Sequence, residues 1–198
     1  MSRVRVSGVI LAAGPSRRFG NDPPKQLAVI DDEPLVRRVV RQAVESDLAE
    51  IIVVTGLAAA RVEKTVEDLG VRIVGNPRFH EGQSTSVKVG LAAVEDRAVA
   101  AMFIPADQPR LSATVINALI DCYKQTGAAV VVPTYRGRRG APAVIDRALF
   151  GDLATIEGDA GGRQIFPAHE DSLVELPLET GSPLQDLDTP EDLRALDD

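Results

Sequence analysis

The stretch Val9-Ile10-Leu11-Ala12-Ala13-Gly14-Pro15-Ser16-Arg17-Arg18-Phe19-Gly20 runs from an unbroken apolar segment straight into a loop with two glycines and two arginines, and Lys25 follows soon after. Five apolar residues in a row, Val9 to Ala13, are too few to cross a bilayer. They lack the polar alternation of a half-exposed strand, so the run reads as a central strand covered on both faces. A basic N-terminus before a short apolar run also resembles an export signal, but Gly14-Pro15-Ser16-Arg17-Arg18 is charged where a small-residue cleavage site belongs. We therefore read a buried strand and a cytoplasmic protein.

Outward from this strand the same pattern repeats. Ile51 to Val54, Val71 to Val74, Ala100 to Pro105 and Ala128 to Val132 are further apolar runs. Helical spacing lies between them. Pro34 suits the first position of a helix carrying Leu35, Val36, Val39, Val40 and Val44 on one face. Ala58 to Leu69 forms a second helix, closed by Gly70, and Ser84 to Val94 a third. Ser112 caps a fourth, with Val115, Ile116, Leu119, Ile120 and Tyr123 on one side. This alternation predicts an α/β fold, an open, mostly parallel sheet with helices on both faces. Beyond about residue 134 the pattern loosens. Tyr135 to Gly140 is basic and glycine-rich, Ala143 to Ile145 reads as a strand, Arg147 to Leu153 as a short helix, Gly158 to Gly162 as a loop and Leu173 to Leu176 as a strand. Thr189-Pro190-Glu191-Asp192 is a helix start, with a cap, a proline and two acids favoured by the helix dipole.

The chain has 198 residues, which fits one domain, 1–198. Lys and Arg number 22 against 29 Asp and Glu, a net charge of -7, which argues against coating nucleic acid. The single cysteine, Cys122, leaves no intrachain disulfide and no multi-cysteine metal site.

In open α/β sheets ligands bind beyond the carboxyl ends of the strands. The Leu11 to Gly20 loop, with Arg17, Arg18 and Lys25, offers backbone N–H groups and cations to an anion. Its spacing matches neither the dinucleotide fingerprint nor the P-loop. Asp107, at the end of the Ala100 to Pro105 run and flanked by Pro105 and Pro109, suits a Mg²⁺ ligand, although turn aspartates are common. Asn76 to Ser86 is rich in hydroxyls and could hold a base or ribose, or merely cap the next helix. Gly158 to Arg163 and Asp186 to Asp192 form a last group. Asp186 and Asp188 point to opposite faces if extended, so both need not bind one metal.

Leu11-Ala12-Ala13-Gly14-x-Ser16-x-Arg18-Phe19-Gly20-x₄-Lys25 resembles the signature of the MobA-like nucleotidyltransferases. The later segments follow in the same order: Asn76-Pro77, Gly82 to Ser86, Asp107-Gln108-Pro109, Arg139-Gly140-x-Pro142, Gly158-Asp159-x-Gly161-x-Arg163 and Asp186-x-Asp188-Thr189-Pro190-Glu191-Asp192. Ala13, where the guanylyl branch carries glycine, and Gly82 to Ser86 make the chain most similar to the molybdenum cofactor cytidylyltransferase branch. The resemblance implies a three-layer Rossmann-like fold of the nucleotide-diphospho-sugar transferase type. It also implies transfer of CMP from CTP to the terminal phosphate of molybdopterin cofactor, with Mg²⁺ and release of pyrophosphate. A nucleotide half, 1–133, and an acceptor half, 134–198, would divide the work. Leu11, Ala12, Ala13, Gly14, Ser16, Arg17, Arg18, Lys25, Gly82, Ser86 and Asp107 would bind nucleotide, with Arg18, Lys25 and Asp107 catalytic. Asp107 and Asp188 would hold the metal. Arg139, Asp159, Arg163 and Asp186 would bind the acceptor, and the product would pass to a molybdoenzyme or its chaperone. Arg17, Arg18, Lys25, Arg136, Arg138, Arg139 and Arg163 would form a basic pocket if the halves converge.

Two departures bear on the acceptor: Ala141 stands where many relatives have a polar residue, and Asn21 to Pro24 lengthens the approach to Lys25. Other readings are the same chemistry on another acceptor, such as a sugar or polyol phosphate, and a non-catalytic pterin carrier or an oxidoreductase on the same sheet. The missing G-x-G-x-x-G weakens the oxidoreductase, and Lys25 with Asp107 weakens the carrier.

Overall fold

The computed structural model describes residues 4–14, 19 and 24–195. Its strands are β1 (Val6–Ala12), β2 (Val29–Ile30), β3 (Glu33–Pro34), β4 (Glu50–Thr55), β5 (Arg72–Gly75), β6 (Ala100–Pro105), β7 (Val130–Tyr135), β8 (Arg138–Arg139), β9 (Ala143–Asp146) and β10 (Leu173–Pro177). Its α-helices are α1 (Leu35–Val44), α2 (Ala59–Val66), α3 (Gln83–Ala93), α4 (Ala113–Thr126), α5 (Phe150–Leu153) and α6 (Pro190–Arg194). The main sheet runs β10-β7-β9-β6-β1-β4-β5, with β8 on β7. β1 pairs in parallel with β4 and β6, β4 with β5, and β7 with β10. β9 runs antiparallel to both β6 and β7 and joins the two parallel groups.

The unbroken apolar runs are explained by two cores, one on each face of the sheet. Alternate residues of one strand enter different cores: Ile10, Val53, Met102, Ile104 and Val131 pack with α1, α2 and α4, while Val9, Ile52, Val54, Phe103 and Val132 pack with α3 and α5. Every position is thus apolar although the strand period is still two. Gly90 lets α3 lie close on β1, since a Cβ there would be 2.3 Å from Val9 Cγ1.

Three local expectations change. Pro34 precedes α1: its ψ of 138° is extended, it closes the two-residue β2–β3 pair, and the Leu35 N–H donates to the Ala28 carbonyl at 2.8 Å. Tyr135 to Gly140 holds a short strand. Arg136 and Gly137, at φ of 50° and 73°, make the tight turn that pairs Tyr135 with Arg138. The loop at Gly158 gives way at Gly161 to a 3₁₀ segment, Gly161–Ser172. Among the described residues no helix is long and apolar enough to cross a membrane.

Candidate active site

The central strand β1 ends between β4 and β6, and the loops leaving β1 and β6 border a cleft of about 310 Å³. Leu11, Ala13, Gly14, Lys25, Gly82, Ser86, Asp107, Asp159 and Asp188 line it. A larger cleft, about 700 Å³, lies on the β9 side and is lined in part by Arg139, Arg163, Asp186 and Gln108. Leu11, Gln83, Pro105 and Asp107 belong to both clefts, so the two meet at the end of β6.

Lys25 and Asp107 are 82 residues apart in sequence, yet Lys25 Nζ donates to Asp107 Oδ2 at 2.7 Å and to Asp188 Oδ1 at 3.3 Å. Burial by itself lowers the Lys25 pKa; the two carboxylates outweigh it and hold the ammonium above its ordinary range. The other Asp107 oxygen, Oδ1, is buried and has no hydrogen-bond partner among the described residues. Two contacts brace this acidic corner: the Leu187 N–H donates to the Asp107 carbonyl at 2.8 Å, and Gln108 Nε2 donates to Asp186 Oδ1 at 3.1 Å. Asp186 is exposed at the cleft wall, yet its pKa lies above the usual carboxylate range, because it is partly desolvated there and faces the Asp107 carboxylate. Asp188 sits just before the Thr189 capping box of α6, in which the Thr189 hydroxyl accepts from the Asp192 N–H.

The opposite wall is built on α3. Asn76 Nδ2 donates to Thr85 Oγ1 and to Ser86 Oγ, both at 2.9 Å, tying the end of β5 to the helix start. Gly82 has φ of 118°, and a Cβ there would lie 2.6 Å from the Gly158 carbonyl oxygen; the Ser84 N–H donates to that same oxygen at 3.0 Å. This contact carries Asp159 to the first cleft, whereas Arg139 and Arg163 line the second. Ala12 is fully buried in β1 and borders neither cleft. Ser16, Arg17 and Arg18 lie outside the described residues.

The expected basic pocket is not formed by the described arginines. Arg136 stacks on Tyr135 with its guanidinium 5.1 Å from the ring centroid, and Arg139 is engaged by Glu170 and Glu175. Neither Arg136 nor Arg138 borders either of these two clefts. The first cleft instead carries Asp107, Asp159 and Asp188 on its walls, with Asp107 and Asp188 against Lys25. Among the described residues no group of three or more His, Cys, Asp or Glu side chains is arranged to enclose a metal by itself.

Several site residues had no role of their own in the sequence, although Phe79, His80 and Gln83 fall in the Asn76 to Ser86 segment and Gln108 in the Asp107-Gln108-Pro109 motif. Gln26 is buried and donates to the Gly14 carbonyl at 2.8 Å, fixing the loop after β1. Phe79, His80 and Gln83 line the first cleft. Gln108 is 2% exposed and braces Asp186. Only its place beside Asp107 could have pointed to it.

The cleft at the carboxyl end of this mostly parallel sheet lies where open α/β folds bind their ligands, and comparison with known proteins gives the family. The profile of the MobA-like NTP transferase domain matches residues 8–173. GlmU of Carboxydothermus hydrogenoformans, a bifunctional protein, is 31% identical over 129 residues, 65% of this chain and 28% of GlmU. The chain thus spans little more than a quarter of the curated relatives it matches. The crystal structure of Rv0371c from Mycobacterium tuberculosis H37Rv superposes with a TM-score of 0.85 at 30% identity, covering 98% of this chain and 97% of that one. The same mycobacterial protein is also known as a manganese complex, 28% identical with a TM-score of 0.83 and covering 97% of each chain. Molybdopterin-guanine dinucleotide biosynthesis protein A from Archaeoglobus fulgidus shares the fold at 14% identity, with a TM-score of 0.72, covering 96% of each chain. The chain has the fold of the nucleotide-diphospho-sugar transferases. It belongs to the MobA-like NTP transferase family.

Proposed function

We propose that the protein is a cytoplasmic CTP:molybdopterin cytidylyltransferase that uses Mg²⁺. The observation that carries this reading is the position of Asp107, on the wall shared by both clefts. A triphosphate in the first cleft and a phosphorylated acceptor in the second would meet there. An oxygen of the acceptor's terminal phosphate attacks the α-phosphorus of CTP. The bond from that phosphorus to the bridging oxygen breaks, pyrophosphate leaves, and a new phosphoanhydride joins CMP to the acceptor. Such transfers depend on alignment and charge neutralisation more than on covalent help.

In this reading the backbone from Leu11 to Gly14 cradles the triphosphate, held in shape by Gln26. Arg17 and Arg18 neutralise its charge with Lys25, and the Ser16 hydroxyl donates to a phosphate oxygen. Gly82 and Ser86 border the base and ribose, and Asp159 closes that side rather than serving the acceptor. Arg139 and Arg163 take the acceptor's polar groups, with Asp186 accepting from its N–H or O–H donors. The donor set fits a hard cation: Asp107 Oδ1 is a buried carboxylate oxygen with no partner among the described residues, a state that costs free energy unless something binds it, and Asp188 shares the ammonium held by Asp107. Asp107 and Asp188 would hold Mg²⁺, which when bound neutralises phosphate charge alongside the protein's cations. The product would pass to a molybdoenzyme or its chaperone.

The test is pyrophosphate release by the protein with Mg²⁺, molybdopterin cofactor and each NTP in turn. Release with CTP alone is the expected result. Release only when a sugar or polyol phosphate replaces the pterin would move the reading to another acceptor, a change to which Ala141 also points. No release with any NTP and either acceptor would overturn it.

A further inference from the structure

Three carboxylates, Asp107, Asp186 and Asp188, are crowded between the end of β6 and the start of α6. Two braces prevent the segments from drifting apart: the Leu187 N–H on the Asp107 carbonyl and the Gln108 amide on Asp186. Such a cluster repels itself and needs a cation nearby. The chain supplies one. Lys25 reaches in from the 3₁₀ turn Lys25–Leu27, its side chain 14% exposed, and its ammonium lies 2.7 Å from Asp107 and 3.3 Å from Asp188. These are the two carboxylates that fit the metal.

We infer that Lys25 is an internal counter-ion that occupies the metal's carboxylates until nucleotide arrives, so that metal enters together with the triphosphate and displaces the ammonium onto it. This rests on the nucleotidyl-transfer reading and adds an order of binding to it. A divalent ion alone must displace an ion pair braced on both sides and take from a half-buried lysine its contacts with Asp107 and Asp188. A metal–nucleotide complex brings phosphate oxygens that accept the released ammonium, so the exchange costs far less. Metal and nucleotide then strengthen each other's binding reciprocally. The displaced ammonium ends where a phosphate-neutralising lysine is needed, so the resting contact and the catalytic one use the same side chain in succession.

The experiment is a Mn²⁺ titration followed by the free-ion EPR signal, with and without CTP, on the full chain and on Lys25→Met and Lys25→Arg. Met keeps the apolar stem and removes the charge, while Arg keeps the charge. Wild type is expected to bind Mn²⁺ weakly alone and at least about tenfold more tightly with CTP. Lys25→Met should bind Mn²⁺ alone about tenfold more tightly than wild type and lose most of the coupling to CTP, as expected when a competing charge is removed. Lys25→Arg should behave like wild type in the absence of nucleotide. Circular dichroism and melting establish that the variants are folded. If folded Lys25→Met binds Mn²⁺ no better than wild type while wild type still releases pyrophosphate from CTP, the counter-ion role is wrong and the proposed function stands. If wild type binds neither Mn²⁺ nor CTP, the functional reading fails and takes this inference with it.

Discussion

Asp107 divides its carboxylate between two environments, one oxygen on Lys25 and one buried with no partner among the described residues, and a substitution that keeps its shape separates the two. Asp107→Asn should fold normally yet lose metal-dependent CTP binding, with turnover falling on the order of 10²–10³-fold, the usual loss when one electrostatic element of a transfer site is removed. Pyrophosphate release and Mn²⁺ binding check it; full activity would remove Asp107 from the site. Gly82 makes a different kind of contribution. At φ of 118°, with the Gly158 carbonyl 2.6 Å from where a Cβ would sit, Gly82→Ala is strained and also pushes Asp159 out of the first cleft. A loss of about 1–3 kcal/mol in stability is expected, together with a raised KM for CTP; a denaturant titration and steady-state kinetics measure the two. Asp107 could be read as a metal ligand from its place at a strand's carboxyl end, and Lys25 as a phosphate cation from the basic loop that follows the first strand. Their partnership could not, because a contact across 82 residues leaves no trace in local pattern. Gln26 and Gln108 were hidden for a related reason: an amide that orients a neighbouring group looks like any polar residue until its partner is seen.

The elements were most legible where one physical rule governs a whole segment. The runs in β1, β4, β6 and β7 are apolar throughout because two cores take alternate residues, and Ser112 caps α4 by accepting from the Val115 N–H. Legibility failed where tertiary contacts set the boundary. Pro34 could have opened α1, but the Ala28 carbonyl takes the Leu35 N–H and the chain stays extended one residue longer. β8 consists of two exposed arginines and is a strand only because the Arg136-Gly137 turn returns it to β7. The fit of α3 on β1 gives a test in which two effects oppose. Gly90→Ala gains about 1 kcal/mol of helix propensity. The new methyl, however, would lie 2.3 Å from Val9 Cγ1 on the central strand, and such overpacking costs about 1–3 kcal/mol. Packing should win, giving a lower melting temperature; an unchanged or raised one would mean that α3 sits further from the sheet.

At the scale of the molecule, the acidic surface is tied down by arginines, and this sets the response to acid. Arg37 holds the exposed Asp68 carboxyl at about 2, through a paired hydrogen bond, and the carboxyls of Glu33, Glu81 and Glu170 lie below their ordinary values beside Arg41, Arg78 and Arg139, while Asp192 is lowered by the N–H groups of Thr189 and Asp188. A depressed carboxyl pKa favours the folded state above the unfolded value of 3.8 for Asp, and the contribution disappears as pH falls through the folded one. Stability should therefore fall from ordinary carboxylate titration down toward pH 2. Arg37→Met should lower the urea midpoint at neutral pH, the difference from wild type vanishing near pH 2; a difference that persists there would place the effect of Arg37 elsewhere. The placement of β9 has a consequence for synthesis. β1, β4, β5 and β6 are complete once residue 105 has left the ribosome, but the strand that covers the free edge of β6 is not made until residues 143–146. In that interval the backbone of Ala100 to Phe103 is an open, apolar edge, the kind to which another nascent chain can add. Expression in the cell should thus be limited by the speed of the intervening α4–β7 segment and by chaperones that shield such edges, while the finished protein, with β6 enclosed, carries no sign of the hazard.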